Sequence, residues 1–372
     1  MHSFGKKGLM SGIFLICVLV SGLFLTSGTA RAAAGDGVLG KFDAQHLDDA
    51  SLPARVWRSH STVDPSSIAS TSWLVSTNIA MSDNNGATFT DLGVVNAGFD
   101  VASSTISWLN EVSALFFDPS AESASRSKIV WHRYMVDNGQ PNWANSWIAM
   151  KTASVPIGPW SSEVKLLAGS LYNPNDPLNP DPKIPLFSLP PNMADCLVLT
   201  EPGILYVSSG FYMSTLCRVA NLGQSRIPLV KFSHPTPTTT TLAYKGNLLG
   251  ANDAALFANR YGTQYPELAN TYYFDGTSMF TKSNVTYLLA SPVDSTGKYL
   301  GCALFKITNI ETASIQRSGG KPTMLKYIPG IAGTHRGACT YTTKSTGSGV
   351  VISQISTTGQ PFTLVNTGVQ LP

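Results

Sequence analysis

Four short fragments of the chain place a polar or ionisable pair directly before a run of small or apolar residues. They are 110–114, 194–198, 252–256 and 335–339. Three of them carry a carboxyl group, on Glu111, Asp195 and Asp253. Carboxyl groups held close together can serve as general acid and general base, because proximity drives their pKa values apart. The recurrence predicts that these three residues form a catalytic set, whereas carboxylates that only accept hydrogen bonds from turn amides are the structural alternative.

The fourth fragment begins with a basic pair, His335 and Arg336. A guanidinium at a position equivalent to the carboxyl groups would offset the repulsion among them. The imidazole can bind a substrate hydroxyl or titrate near neutral pH, although a purely structural histidine is the alternative. We therefore predict both residues as substrate contacts.

Further candidate contacts lie on an alternating run around residue 132 and next to the fragments. His132 and Arg133 would face opposite sides of one strand, because side chains alternate along a strand. Trp108 and Tyr212 lie close to the starts of two groups and are predicted as platforms on which a ring could stack. Core packing is the alternative for these aromatic residues.

The distribution of apolar residues predicts an all-β fold. Short runs rich in β-branched and aromatic residues alternate with period two and are separated by Gly, Pro, Asn and Asp, while helical periodicity is nearly absent. Together with an earlier group near 67–73, the four fragments mark five groups spaced roughly 40 to 80 residues apart, which is typical of radially repeated blades. We predict a five-bladed β-propeller over 66–372, with a tandem β-sandwich as the alternative.

The first 32 residues have the pattern of a secretory signal peptide. Lys6 and Lys7 precede an apolar stretch over 8–25, and small residues around Ala32 offer a cleavage site. A retained membrane anchor is the alternative, since the stretch is apolar throughout. We predict a signal peptide over 1–32, an N-terminal segment over 33–65, and a secreted or periplasmic protein that is not held at the membrane after cleavage.

Charge argues against a nucleic-acid partner. The chain has 25 Lys and Arg against 22 Asp and Glu, with 13% charged residues against the roughly 25% that is usual in soluble domains. Removing residues 1–32 takes away three basic residues and no acid, which leaves 22 of each. No basic surface that could bind a phosphate backbone is therefore expected. The protein is expected to be a monomer.

Four of the five cysteines lie outside the predicted signal peptide, where an oxidising compartment permits two disulfides. We predict the pairs Cys196–Cys217 and Cys302–Cys339, because each brackets neighbouring strands. A zinc site is the rival interpretation, but no Cys/His pair has ligand spacing. No cofactor or metal is expected, except that Asn175, Asp176 and Asp181 in a proline-rich loop could bind a structural calcium.

Two parts of the chain resemble known propeller families. The segment 82–89, Ser-Asp-Asn-Asn-Gly-Ala-Thr-Phe, resembles the Asp-box turn of sialidases, with Asn84 and Phe89 in place of Asp and Trp. The segments 111–119, 128–134 and 153–160, the last ending in Gly158-Pro159-Trp160, resemble the blade rhythm of five-bladed furanosidase propellers. Those are relatives of arabinofuranosidases, β-xylosidases, invertases and levansucrases.

The second resemblance implies a funnel on the propeller axis in which two carboxyl groups flank a glycosidic bond. In that family the acids come from the first three blades, typically as Asp, Asp and Glu. The present sequence offers Glu111, Asp195 and Asp253 in the second, third and fourth groups instead. The first group has no obvious acid unless Asp64 or the region near His60 reaches the axis.

The sequence thus predicts an exported carbohydrate-active hydrolase acting on a polysaccharide or oligosaccharide. The alternative is a non-catalytic propeller of the cell envelope that binds a glycan or a protein, because fold alone does not fix function. A sialidase is disfavoured, because its substrate carboxylate requires a cluster of arginines.

Overall fold

The computed structural model describes residues 40–49, 51–67, 73–179, 183–207, 210–233, 241–331, 334–342, 350–357 and 362–371. The predicted signal peptide lies outside these residues. Within them, no helix has the length and apolar character required to cross a membrane.

The first two sheets are antiparallel and follow the chain in order. The first contains β1 (Lys41–Asp48), β2 (Val56–Val63), β3 (Val75–Ser82) and β4 (Thr90–Asn96). The second contains β5 (Phe99–Asp100), β6 (Ile106–Phe117), β7 (Ser127–Asp137), β8 (Gln140–Ala153) and β9 (Val164–Leu167).

The remaining strands form three further sheets and a short ribbon. The third sheet contains β10 (Val198–Val207), β11 (Gly210–Arg218), β12 (Ile227–Ser233) and β13 (Thr241–Leu249). The fourth contains β14 (Tyr273–Lys282), β15 (Val285–Val293) and β16 (Gly301–Asn309), with β17 (Ser314–Ile315) and β20 (Met324–Pro329) both pairing with β16. The ribbon is β18 (Arg317–Ser318) with β19 (Lys321–Pro322), and the fifth sheet is β21 (Thr334–Thr342), β22 (Val350–Thr357) and β23 (Thr363–Asn366).

Helices are short and lie in the connections. The described residues contain one α-helix, α1 (Asp253–Tyr261), between the third and fourth sheets. The 3₁₀ turns are Pro65–Ser67, Ser123–Ser125, Pro191–Met193, Leu222–Gln224, Pro266–Asn270 and Ile310–Thr312.

The first long strand of each sheet contacts its counterparts in a closed ring. β1 contacts β6, β6 contacts β10, β10 contacts β14, β14 contacts β21, and β21 contacts β1 again. The amide of Gly40 donates to the carbonyl of Phe362 at 2.8 Å and so joins the two ends of the described chain. Sheets arranged radially around one axis are the defining feature of a propeller, and the predicted all-β propeller class is confirmed.

The strands that face this axis are crowded. A Cβ atom built on Gly276 of β14 would lie 2.8 Å from the Cα of Ala338 on β21, and Gly276 has a φ of 56°. Only glycine fits both the contact and the backbone conformation at this position. The close approach of strands from neighbouring sheets therefore requires a glycine at this position.

Two sequence predictions about the fold are wrong. Residues 33–65 were predicted to precede the propeller, but β1 and β2 within that range pair with β3 to form the first sheet. The fragment 252–256 was predicted to open a strand, but it forms the start of α1. Its sequence Asp-Ala-Ala-Leu has good helix formers behind an acidic first turn, and this local preference prevails.

The segment 82–89 forms the turn between β3 and β4. The side-chain oxygen of Asn84 accepts hydrogen bonds from the Ser82 hydroxyl at 2.8 Å and from the Thr88 amide at 2.9 Å. The Ser82 hydroxyl in turn accepts from the Gly86 amide at 2.8 Å. The polar residues of this segment thus stabilise the turn.

Both predicted disulfides are confirmed. Cys196 and Cys217 are joined with a Cα–Cα distance of 5.0 Å, and Cys302 and Cys339 with one of 6.1 Å. The second bond connects β16 of the fourth sheet to β21 of the fifth and therefore ties the fifth sheet to its neighbour.

Replacing Cys302 and Cys339 together by alanine should lower the free energy of unfolding by about 3–4 kcal/mol, because the disulfide closes a loop of 37 residues in the unfolded chain. Urea denaturation followed by tryptophan fluorescence would measure the change. The matched Cys196→Ala/Cys217→Ala variant lacks a disulfide that closes a loop of 21 residues, so its loss should be roughly 0.5 kcal/mol smaller. An unchanged unfolding midpoint in the first variant would contradict the prediction.

Candidate active site

Each strand of the ring is interrupted by a β-bulge at the same depth along the axis. The bulged residues have positive φ angles, and they are Asp43 (49°), Val112 (49°), Glu201 (54°), Gly276 (56°) and Ala338 (41°). All five line one small cavity together with Ala44 and Gln45. Because a bulge redirects the side chain of a strand, the five sheets aim residues at a common point on the axis.

Four carboxyl groups belong to these bulges. Asp43 and Glu201 occupy the bulged position of β1 and β10, whereas Glu111 and Asp275 lie one residue before it on β6 and β14. We call these four residues the axial carboxyl cluster. A non-glycine residue with a positive φ costs roughly 1–3 kcal/mol, and such strain is typical of functional sites.

Hydroxyl groups of neighbouring strands hold the bulges in place. The Ser61 hydroxyl accepts from the amide of Val112 at 3.0 Å, and the Ser291 hydroxyl accepts from the amide of Ala338 at 2.8 Å. In both cases the second strand of one sheet satisfies a bulge amide of the next sheet. The bulge backbone is therefore fixed before any ligand binds.

The environment of the cluster favours the neutral form of two of its carboxyl groups. Burial raises the pKa of Glu111 to about 7, against a hydrogen bond from Tyr134 that lowers it, and Asp275 raises it further. Burial and then the carboxylates of Asp275, Asp43 and Glu111 raise the pKa of Glu201 well above its usual range, while Arg218 opposes them. A carboxyl group that stays protonated at neutral pH can donate a proton.

Asp275 differs from Glu201 in its hydrogen bonds. Burial raises the pKa of Asp275, but hydrogen bonds from the amide of Gly276 and the hydroxyl of Tyr299, together with the charge of Arg218, oppose that change. Among the described residues, Oε2 of Glu201 is buried and has no hydrogen-bond partner. The pKa of Asp275 is thus raised on balance, but its carboxylate has hydrogen-bond donors that Oε2 of Glu201 lacks.

Tyrosines and an arginine complete the surroundings of the cluster. Burial raises the pKa of Tyr134, Tyr273 and Tyr299, so their hydroxyl groups stay neutral hydrogen-bond donors. The guanidinium of Arg218 lies over the ring of Trp143 at 5.2 Å. The site therefore combines acidic groups, neutral donors and an aromatic ring.

Of the three predicted catalytic residues, the structure places only Glu111 in the axial carboxyl cluster. Asp195 lies in the turn before β10, where its side chain is 64% exposed and forms an ion pair with Arg226. Asp253 is the first residue of α1 and binds Arg317 through both carboxylate oxygens, at 2.7 and 2.6 Å. Asp195 and Asp253 thus form ion pairs with Arg226 and Arg317, and neither residue begins a strand of the ring.

The histidine and arginine of β7 lie on opposite faces, as the alternation predicts. His132 stacks on Tyr134 at 4.9 Å, and burial followed by the charge of Arg218 lowers its pKa to about 3. Arg133 turns away and binds Glu163 at 2.6 Å. His132 therefore borders the site as a neutral ring, whereas Arg133 does not reach the cluster.

The remaining predicted contacts lie mainly in structural positions. Trp108 and Tyr212 are 1% and 0% exposed and belong to the core, so neither forms a stacking platform. Arg336 donates to the carbonyl of Pro329 at 3.2 Å, and the cation near the carboxyl groups is Arg218 instead. His335 is half-buried on β21, where burial lowers its pKa first and Lys298 lowers it further. Its predicted contact with substrate stays a prediction.

Asp43, Glu201, Asp275 and Arg218 were not found by sequence reasoning. A signal existed for two of the strands. The sequence Glu201-Pro202-Gly203 places proline inside a strand, and Asp275-Gly276 places glycine there, and both patterns indicate a bulge. Nothing comparable marks Asp43, because an aspartate with positive φ leaves no trace in the sequence pattern.

No group of three or more metal-binding side chains occurs within the described ranges. In the proline-rich loop, Asp176 accepts a hydrogen bond from the amide of Leu178 at 2.8 Å, while Asp181 lies outside the described residues. The structural calcium there stays a prediction.

No family model matches the chain, and no curated protein matches it. Solved structures similar in fold include a thermostable family-43 glycoside hydrolase, with 13% identity, coverage of 90% of this chain and 96% of that chain, and a TM-score of 0.51. Others are an endo-arabinase from Bacteroides thetaiotaomicron (9% identity, 92% and 99% coverage, TM-score 0.51) and an alpha-L-arabinofuranosidase from Lactobacillus brevis (8%, 91% and 94%, 0.51). At these identities the likeness establishes a shared fold, and the predicted likeness to furanosidase-type propellers is confirmed at that level.

Proposed function

We propose that this protein is an exported glycoside hydrolase whose catalytic groups lie in the axial carboxyl cluster. The observation that supports the proposal most strongly is that Glu201 and Asp43 line the same cavity, where burial and the negative charges of Asp275, Asp43 and Glu111 raise the pKa of Glu201. Cleavage of a glycosidic bond requires such a pair of neutral and ionised carboxyl groups.

We assign the general acid to Glu201 and the base or nucleophile to Asp43. Glu201 has a raised pKa and an unpartnered Oε2 among the described residues, and Asp43 lines the same cavity. Glu111 is the third carboxyl group. These three lie on the first, second and third sheets, which is the distribution that the resemblance to furanosidase propellers implies.

The five sheets are proposed to be five blades. Four of them contain at least four strands, and the fifth contains three described strands. The closed ring of contacts and the recurrence of the bulge in all five support this count.

A carbohydrate substrate is proposed from the fold likeness and from the character of the site. Tyr134, Trp143 and His132 form a stacked aromatic group beside the carboxyl groups, with ring centroids 4.9 to 6.3 Å apart. Aromatic faces and neutral hydroxyl donors suit a sugar ring. The two disulfides support export, because they persist in oxidising compartments.

A glycan- or protein-binding propeller without activity is the second candidate. The cavity on the axis has room for about one water molecule, and this favours the second candidate.

The test is hydrolysis of a panel of polysaccharides and aryl furanosides and pyranosides by the purified protein, beside its Asp195→Asn variant. Asp195 is an exposed carboxylate away from the cluster, so this variant should retain wild-type activity. Hydrolysis by both proteins supports the proposal and identifies the sugar. If neither protein hydrolyses any substrate of the panel, the binding function is favoured. Loss of hydrolysis in the variant alone would contradict the assignment of the site.

A further inference from the structure

We propose that Asp275 is a positioning residue whose fixed negative charge keeps the catalytic proton on Glu201. The inference rests on the proposed function and extends it to the fourth sheet, beyond the three acids that the resemblance implies. It concerns how Glu201 is kept in the state that a general acid requires.

Asp275 is itself held in place by hydrogen bonds. The amide of Gly276 donates to Oδ1 of Asp275 at 2.9 Å, and the hydroxyl of Tyr299 donates to Oδ2 at 3.3 Å. Donors on both oxygens stabilise the ionised carboxylate and restrict its rotation. Asp275 therefore provides a charge at a defined position.

The strand that carries Asp275 is tied to the backbone of Glu201. The hydroxyl of Thr277, two residues after Asp275, donates to the carbonyl of Glu201 at 3.2 Å and bonds to the Ser214 hydroxyl at 3.0 Å. A Cβ on Gly203 would lie 2.9 Å from the carbonyl oxygen of Thr277, so strands β10 and β14 approach closely here. The two acidic residues consequently keep a constant relation to each other.

The carboxyl groups of Glu201 and Asp275 compete for one proton, and their anions are not equally stabilised. Within the described part of the chain, Oε2 of Glu201 has no donor, whereas both oxygens of Asp275 have one. Two nearby carboxyl groups in a buried site do not both ionise readily, and the proton stays on the one whose anion is less stabilised. That group is Glu201.

Other charged and titratable groups also interact electrostatically with Glu201. They are Asp43 on β1, Glu111 on β6, Tyr134 on β7, Arg218 on β11, Tyr273 on β14 and Tyr299 between β15 and β16. Asp43 and Glu111 add to the effect of Asp275, and Arg218 opposes it. Asp275 is the largest of the charge effects on the pKa of Glu201 and follows burial itself.

The experiment compares wild type with Asp275→Asn in the pH dependence of kcat/KM for a substrate found in the panel. Removing the negative charge lowers the pKa of Glu201, so the alkaline limb of the profile should move to lower pH. We expect a roughly tenfold loss on the alkaline limb of the wild-type profile and little change on its acidic side, because a shift of about one pH unit changes the protonated fraction tenfold above the pKa. A merely structural role would reduce kcat/KM by the same factor at every pH, and that result would overturn the inference.

A second readout does not depend on activity. The carboxyl resonance of Glu201 in protein labelled with ¹³C-glutamate, assigned from its absence in Glu201→Gln, should titrate at lower pH in Asp275→Asn than in wild type. Tyr299→Phe removes one donor from Asp275 and should produce a smaller shift in the same direction, which preserves the test if Asp275→Asn does not fold. Asp195→Asn should leave the titration unchanged.

The two readouts separate the two claims. An unshifted Glu201 titration in Asp275→Asn, or in Tyr299→Phe if only that variant folds, overturns the inference whatever the activity. A shifted titration in a protein that hydrolyses nothing supports the coupling between Asp275 and Glu201 and overturns only the proposed hydrolase function.

Discussion

Replacing Glu201 by glutamine should reduce glycoside hydrolysis by roughly 10²- to 10⁴-fold and, at pH 8, should raise the melting temperature above that of wild type. Activity falls because the amide of glutamine cannot supply a proton to the leaving group. Stability rises because the variant no longer forces a carboxyl group into a buried site that already contains Asp275 and Asp43.

The raised pKa of Glu201 determines how the difference in melting temperature changes with pH. The pKa of Glu201 is raised in the folded protein, so the folded state binds its proton more tightly than the unfolded state does. The cost of the carboxyl group is absent below the unfolded pKa near 4.5 and grows as the pH rises toward the folded pKa. The increase in melting temperature should therefore be larger at pH 8 than at pH 4, as measured by differential scanning calorimetry.

A matched control is available on the surface. Glu122 is exposed in the turn before β7, and Glu122→Gln should change neither activity nor melting temperature. A Glu201→Gln variant that is less stable than wild type at pH 8, or that hydrolyses at the wild-type rate, would contradict the account of the cluster.

Replacing Asp118 by asparagine should lower the free energy of unfolding by about 3 kcal/mol, since it leaves a buried ammonium without its counter-ion. Oδ2 of Asp118 accepts from Nζ of Lys128 at 2.7 Å, and both side chains are 0% exposed. The pair joins the end of β6 to the start of β7, far along the strand from the bulge at Val112. Urea denaturation would measure the loss.

Two further variants separate burial from charge. Asp118→Asn combined with Lys128→Met removes both charges and should recover most of the lost stability, because no buried charge remains unpaired. Asp83→Asn breaks the exposed pair with Arg55, in which the side chains are 58% and 27% exposed, and should leave the urea midpoint unchanged. Equal midpoints for Asp118→Asn and wild type would contradict the prediction.

The all-β propeller class and the disulfides could be predicted because both depend on local patterns. Alternation reports which face of a strand is buried, as in β3, where Val75, Thr77 and Ile79 are buried and Ser76 and Asn78 are less so. The two cysteine pairs bracket strands that become neighbours. Such features can be recognised in the sequence without knowledge of how the sheets are arranged.

The site could be predicted only in part, because it depends on the register of strands from different sheets. Glu111 was found since it stands before a small-residue strand, but the same pattern lies in a turn at Asp195 and opens a helix at Asp253. Asp43 was missed because the first ring strand has no small-residue run behind its acid. A bulge that turns one residue toward the axis is a tertiary feature, which close packing of five strands fixes.

The central claim is that Glu201 donates a proton to the departing group of a glycoside. It is tested most directly with two aryl glycosides of one sugar, a phenyl glycoside and a 2,4-dinitrophenyl glycoside, and with wild type and Glu201→Gln. Dinitrophenolate departs without protonation, so we predict a loss of roughly 10²- to 10⁴-fold in kcat/KM on the phenyl glycoside and only a small loss on the dinitrophenyl glycoside. Equal losses on the two substrates, or none on either, would contradict the claim.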